Sequence, residues 1–197
     1  MNHTTNLEQI KQLREQTGAG INDCKKCLEE SGNDFNKAIE LLRKKGVEVA
    51  YKKSSRETGE GAIGCYVHSN GKIAALVKVK CETDFVARNK EFQELIKDLA
   101  MHITAMNPLY KSANDVPEQV KNKEKDIESE KLKTQKKPAE IIEKILEGKL
   151  RKFYEQVCLL NQPFVRDDKK SVDDLIKEKI QKLGENIEVG EFVRMEL

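Results

Sequence analysis

Cys81-Glu82-Thr83-Asp84-Phe85-Val86-Ala87-Arg88 is the joint on which the fold turns. Upstream, Ile73 to Cys81 alternates apolar and polar residues and predicts a strand. Downstream, Asn89 to Met106 carries Phe92, Leu95, Ile96, Leu99, Ile103 and Met106 at helical spacing, and Pro108 marks its end. A strand-to-helix corner presents side chains on a rigid support. Here it sets a carboxylate beside an aromatic ring, and the two make opposite demands: the ring gains by leaving water and the charge loses. Two readings are open. Either Phe85 turns inward and Asp84 caps the helix, or the pair belongs to a partner's surface.

Working outward from the joint, Ser69-Asn70-Gly71-Lys72 separates Ala62–His68 from Ile73–Cys81, and Asn-Gly between alternating runs is a strong hairpin signal. The alternation assigns Ile63, Cys65 and Val67 to one face together with Ile73, Ala75, Val77, Val79 and Cys81, leaving Tyr66, Lys78 and Lys80 on a face that meets water. Tyr51 to Gly61 lacks periodicity and reads as a linker. Before it stand three short helices. Leu7, Ile10 and Leu13 mark the first, Ile21, Cys24 and Leu28 the second, and Phe35, Ala38, Ile39 and Leu42 the third. Thr17-Gly18-Ala19-Gly20 and Ser31-Gly32 separate them, Asn33 or Asp34 caps the third, and Gly46 closes it.

Beyond the joint, Val116 to Gln135 is charge-dense and predicts an exposed helix held by i,i+4 Glu–Lys pairs. Pro138 starts the next helix, Gly148 interrupts it, and Leu150 to Leu160 continues it. Asn161 to Val165 reads as a turn and Val172 to Leu183 as a helix stopped by Gly184. Ile187 to Leu197 reads as a closing strand with a bulge at Gly190. The expected class is α+β: residues 1–50 a three-helix domain, 51–61 a linker, and 62–197 a core of three antiparallel strands covered by helices.

Composition narrows the function. Of 197 residues 36% are charged, yet the formal charge is only +2 and the signs are interspersed, so no concentrated field for nucleic acid forms. The longest apolar run, Ile73–Val77, is far too short for a membrane span, and the first ten residues lack the marks of a signal peptide. Five cysteines without framework spacing fit a reduced, cytoplasmic protein. Cys24-Lys25-Lys26-Cys27 is a C-x-x-C, but no βαβ pattern adjoins it and no second ligand pair follows. Cys24 therefore reads as core and Cys27 as its edge. His3, His68 and His102 are scattered, and His102 between Met101 and Ile103 reads as a packed histidine. No nucleophile elbow, phosphate loop or carboxylate pair stands out, so the chain is expected to be no enzyme, with neither catalytic nor metal residues and no cofactor.

Two stretches are more specific. Thr17-Gly18-Ala19-Gly20-Ile21-Asn22-Asp23-Cys24-Lys25-Lys26 and Glu82-Thr83-Asp84-Phe85-Val86-Ala87-Arg88-Asn89 closely resemble the two signature motifs of the bacterial translation elongation factor Ts family. The resemblance continues through Met101-His102-Ile103, Gly148-Lys149-Leu150, Gln162-Pro163-Phe164-Val165 and Gly184-Glu185-Asn186-Ile187, and its length matches the family's short form with one core subdomain. Cys27 departs from the alanine usual there, which makes the C-x-x-C a by-product of a small swap. The resemblance implies a guanine-nucleotide exchange factor for elongation factor Tu. Its ubiquitin-associated-type first domain would dock on the GTPase through Gly18, Ala19, Gly20 and Ile21. Thr83, Asp84, Phe85 and Val86 would disturb the magnesium and phosphate site, with Phe85 as a wedge exposed in the free protein. It also implies a homodimer, with no direct contact to nucleic acid or membrane. The alternative from another class is a ubiquitin-associated-type adaptor that binds protein and leaves nucleotide alone.

Overall fold

The structure, a computed structural model, describes residues 7–133 and 139–197. In chain order the helices are α1 (Leu7–Thr17), α2 (Ile21–Glu30), α3 (Phe35–Lys53), α4 (Asp84–Ala87), α5 (Lys90–Met106), α6 (Glu118–Lys133), α7 (Ala139–Val157) and α8 (Val172–Leu183). The strands are β1 (Glu60–Val67), β2 (Ile73–Cys81), β3 (Pro163–Phe164), β4 (Asp167–Ser171) and β5 (Ile187–Glu196). His3, Pro138 and the Gln135 end of the charged segment lie outside the described residues.

The hairpin forms as its turn chemistry requires. Gly71 takes φ +67°, Asn70 Oδ1 accepts from the Lys72 amide at 2.9 Å, and β1 runs antiparallel to β2. β5 pairs antiparallel with the other edge of β2, giving the order β1-β2-β5, and the register shifts by a bulge at Gly190, opposite Lys78. Ala75, Val77, Val79 and Cys81 face inward as expected, against Phe92, Leu95, Ile96, Leu99 and Ile103 of α5 and against α8.

The face assignment for β1 is reversed. Ala62, Gly64 and Tyr66 point inward, opposite Val79, Val77 and Ala75, while Ile63, Cys65 and Val67 point out. The cause is close packing: a Cβ at position 64 would lie 2.1 Å from Ile96 Cγ2, so only a strand phase that offers glycine fits under α5. Ile63 (71% exposed), Val67, Leu76, Val193 and Met195 (71% exposed) therefore form an apolar outer face.

The first three helices enclose a core of their own from Ile10, Leu13, Ala19, Cys24, Cys27, Leu28, Ala38 and Leu42. Cys27, expected at its edge, is fully buried, as a small soft side chain in an alanine-sized place can be. Asp34 is the cap of α3, accepting from the Lys37 amide at 3.1 Å, while Asn33 takes the left-handed turn at φ 65°. Gly46 does not close α3. The helix continues for another two turns, with Gly46 buried beside Gln181 of α8 and Ala50 packed into the sheet's core. A mid-helix glycine costs about 0.5–1 kcal/mol, which this second packing offsets. Of the segment 51–61 read as linker, Tyr51–Lys53 belong to α3 and Glu60–Gly61 to β1.

Gly148 likewise fails to interrupt α7; it is exposed, and the helix passes through it. α6 packs along α7, with Leu132 buried and the Glu128 carboxylate held by Lys131 (2.7 Å) and by Lys149 of α7 (3.2 Å). Among the described residues α6 holds the i,i+3 pairs Glu118–Lys121 and Glu128–Lys131, where i,i+4 pairs were expected. The turn expected at Asn161–Val165 instead holds β3, which pairs with β4 in a small second sheet. His102 on α5 is buried: Nδ1 accepts from the Val165 amide at 3.2 Å, so Nε2–H donates to Gln162 Oε1 at 2.9 Å. Burial holds its pKa below the ordinary histidine value. No helix among the described residues is long and apolar enough to cross a membrane.

Candidate functional site

The corner between β2 and α5 resolves as two caps around a single helical turn. Thr83 caps α4: it is extended (φ −128°, ψ 157°) and its hydroxyl accepts from the Val86 amide at 3.4 Å. Asn89 caps α5, accepting from the Glu91 amide at 2.9 Å. Asp84 is therefore neither cap. It stands in the first turn of α4, half exposed, and pairs with Arg88 at 3.2 Å. Phe85 is 81% exposed, an unusual state for a ring on an ordered corner. Val86 is partly buried against the core and Ala87 is buried, so α4 is seated on one side and bare on the other.

Four residues is too short for a helix to hold itself, because nucleation costs more than one turn returns. External hydrogen bonds supply the support. Glu185, in the turn between α8 and β5, accepts from the Glu82 and Thr83 amides through Oε2 (3.1 and 3.0 Å) and from the Thr83 hydroxyl through Oε1 (2.6 Å). In return Glu82 Oε1 accepts from the Asn186 amide at 2.6 Å and pairs with Arg56 at 3.5 Å. At the far end of α4, Gln93 Nε2 donates to the Ala87 carbonyl at 2.6 Å. Beneath the corner Cys81 is buried, which pushes its thiol up to about 11, and its Sγ donates to the Thr83 carbonyl at 3.2 Å.

The other sequence candidates lie in the loop between α1 and α2. Gly18 takes φ +67°, and a Cβ there would come within 3.1 Å of Lys182 Cδ. Gly20 is the extended residue before α2, and Ile21 opens that helix 53% exposed. Ala19 is buried in the module's own core, so within the quartet it supports the loop from inside. The two motifs are brought near one another through α8. Lys182, against Gly18, donates to Glu91 Oε1 at 2.6 Å, and Lys179 donates to the other oxygen. Glu91 lies in the first turn of α5, just beyond the corner. These two lysines, Lys179 first, hold its carboxyl down at about 2.

Cys24 and Cys27 are both buried, and burial raises both thiols, so neither is presented as a thiolate. Sequence reasoning quoted Glu82, Glu185 and Asn186 only within stretches of the resemblance and assigned no role to them or to Arg56. Glu185 meets Thr83 across 102 positions, and no local spacing encodes such a contact.

Comparison with known proteins agrees in extent with this picture. The family profile described as Elongation factor TS matches residues 4–197. Elongation factor Ts of Thermosipho melanesiensis is 56% identical over 185 residues, which is 94% of each chain. That of Thermotoga petrophila is 55% identical over 191 residues (97% of this chain, 95% of the relative), and that of Nitratidesulfovibrio vulgaris 52% over 190 (96% and 95%). With near-complete coverage in both directions, the chain belongs to the elongation factor Ts family.

Proposed function

We propose that the protein is the guanine-nucleotide exchange factor of elongation factor Tu, acting by binding and displacement without covalent chemistry, in the cytoplasm. The observation that carries this reading is Phe85: a large ring left in water at the apex of a corner braced by hydrogen bonds at both ends. Pressed against helices beside the nucleotide's magnesium site, it displaces the groups that hold the ion, and the phosphates lose their main neutralising charge. Asp84, already paired with Arg88, contributes a polar contact next to it.

A thousandfold weakening of GDP takes about 4 kcal/mol. Burying one phenylalanine yields about 1.5–3 kcal/mol. The remainder comes from a second contact, for which the α1–α2 loop with Gly18, Gly20 and exposed Ile21 is the candidate. Linkage makes the effect reciprocal, so GDP loosens the factor as the factor loosens GDP.

The factor works as a homodimer through the outer face of the β1-β2-β5 sheet. Ile63, Val67, Leu76, Val193 and Met195 form a contiguous apolar strip of the kind a second copy covers. A molar mass near 22.5 kDa in solution would refute the dimer.

Release of a fluorescent GDP analogue from elongation factor Tu tests the main reading. Wild type is expected to accelerate release and Phe85→Ala to lose most of the acceleration with its fold intact. Binding by the wild type without any change in release rate would favour a protein-binding adaptor instead.

A further inference from the structure

Phe85 makes its contact by direction, yet little packs on the ring to set that direction, since it is 81% exposed. Its backbone belongs to a four-residue helix that cannot hold its own geometry. With the far end of α4 seated at Val86 and Ala87 and held by Gln93, the exit vector is set at the near end by the anchoring of residues 82–83, and that anchoring converges on one side chain. Three donors of the corner, two amides and one hydroxyl, end on the Glu185 carboxylate at 3.1, 3.0 and 2.6 Å. Charge-assisted bonds of this kind are short and directional. The turn that carries Glu185 is itself fixed. Gly184 ends α8 in the left-handed conformation, the Gly184 carbonyl accepts from Lys53 of α3, and Asn186 is bound through its amide to Glu82 and through Nδ2 to the Arg56 carbonyl at 2.9 Å.

We propose that Glu185 is the positioning residue of the exchange corner: without touching the partner, it sets the orientation of Phe85 and thereby the rate at which a docked factor expels nucleotide. This inference rests on the exchange reading for its kinetic part, but its structural part concerns the free factor alone. Loss of the carboxylate leaves three donors to water and lets α4 rock about its seat at Ala87. Docking through the α1–α2 loop keeps its own support, because that loop meets α8 at Lys182 and not at Glu185. Misplacing a working group by about 1 Å costs on the order of a hundredfold in rate when geometry carries the effect.

The test uses the full chain and two readouts. The sequence contains no tryptophan, so F85W places a single indole on the corner. Its fluorescence anisotropy in the free factor is expected to fall on adding Glu185→Ala and to stay near the parent value with Glu185→Gln, whose amide oxygen still accepts from the two backbone donors. In the Phe85 background, Glu185→Ala is expected to lower the maximal stimulated GDP-release rate from elongation factor Tu by about 10- to 100-fold. The factor concentration giving half of that maximum should move less than about threefold. Unchanged anisotropy together with an unchanged maximal rate overturns the proposal. So does a loss seen only in half-saturation, which would mean that Glu185 serves docking. If Glu185→Ala does not fold, Glu185→Asp draws the carboxylate back from all three donors by one methylene, leaves the Thr83 cap of α4 in place, and must lower both readouts in the same direction. A fall in anisotropy with a wild-type factor inert toward nucleotide would uphold the positioning role and refute the exchange reading.

Discussion

Two of the places where the molecule leaves apolar side chains in water, the tip of α4 and the outer face of β1-β2-β5, are supported by opposite means. The sheet face rests on continuous ladders and on a back side packed against α5 and α8, so its geometry is guaranteed by the fold itself. Phe85 rests on one helical turn held by hydrogen bonds at both ends, from the Glu185 carboxylate of a distant turn and from Gln93. A broad strip recognises by area and tolerates small errors of angle. A single ring recognises by angle, so the structure concentrates hydrogen bonds where it would otherwise need bulk.

Four measurements can break or sharpen that contrast. The largest effect is expected from Gly64→Val beneath the sheet, where the first added carbon alone would meet Ile96 Cγ2 at 2.1 Å and the Ile96 carbonyl oxygen at 3.0 Å. Overpacking of this kind should cost about 3 kcal/mol or more in urea unfolding. A mild effect would mean that α5 can lift and that the outer face is less rigid than described. Leu76→Lys changes the front of the neighbouring strand. A symmetric interface meets each substitution twice, so the proposed dimer should weaken about a hundredfold or more while the monomer's stability moves by roughly 0.5 kcal/mol at most. Sedimentation at several concentrations reads this, and an undisturbed dimer would remove the strip from the interface.

Phe85→Ala should cost about 10- to 150-fold in stimulated release, the equivalent of one buried ring. It should leave the thermal midpoint in place, and a lower midpoint would show that the ring serves the fold. The smallest effect concerns pH. Buried His102 stays neutral where an unfolded chain would protonate, so its contribution is complete above pH 6.5, its ordinary value. It declines as pH falls below that value, by at most about 1.4 kcal/mol per unit. Urea midpoints between pH 7 and 5 should follow this slope, and His102→Asn should flatten it. Glu91, held at about 2, adds its own loss only below the ordinary carboxylate value of 4.5, so the two windows separate.

Much of this was legible in the chain. The Asn70–Gly71 hairpin, the α5 stripe and the closing strand followed from turn chemistry and period, because those signals are local. The β1 face was misread because alternation reports that two faces differ without saying which one a helix will approach closely. Gly64, the residue that decided the phase, carries no hydrophobic signal at all. Gly46 and Gly148 were given too much weight as punctuation, since a cost of about 1 kcal/mol ends a helix only where nothing beyond it packs. β4 reads Asp-Asp-Lys-Lys-Ser and has no apolar alternation to find. At the corner the exposed ring could be anticipated from the sufficiency of the other core residues, whereas its carboxylate brace could not. The cap was sought in Asp84, one residue too late.

The uninterrupted passage of α3 through Gly46 has a consequence for the spacing of the two motifs. Its first half packs in the module's core and its second half against the sheet's core, so it works as a splint between them. Each residue of an α-helix turns the chain by about 100°. A single insertion near Gly46 would therefore swing the Gly18–Ile21 loop around the helix axis to a different side of the corner, while leaving each core intact. As the proposed contact points, the two motifs behave like the jaws of a calliper whose opening is cut into one helix, and the phase of that helix, as much as any side chain, would set which partner fits between them.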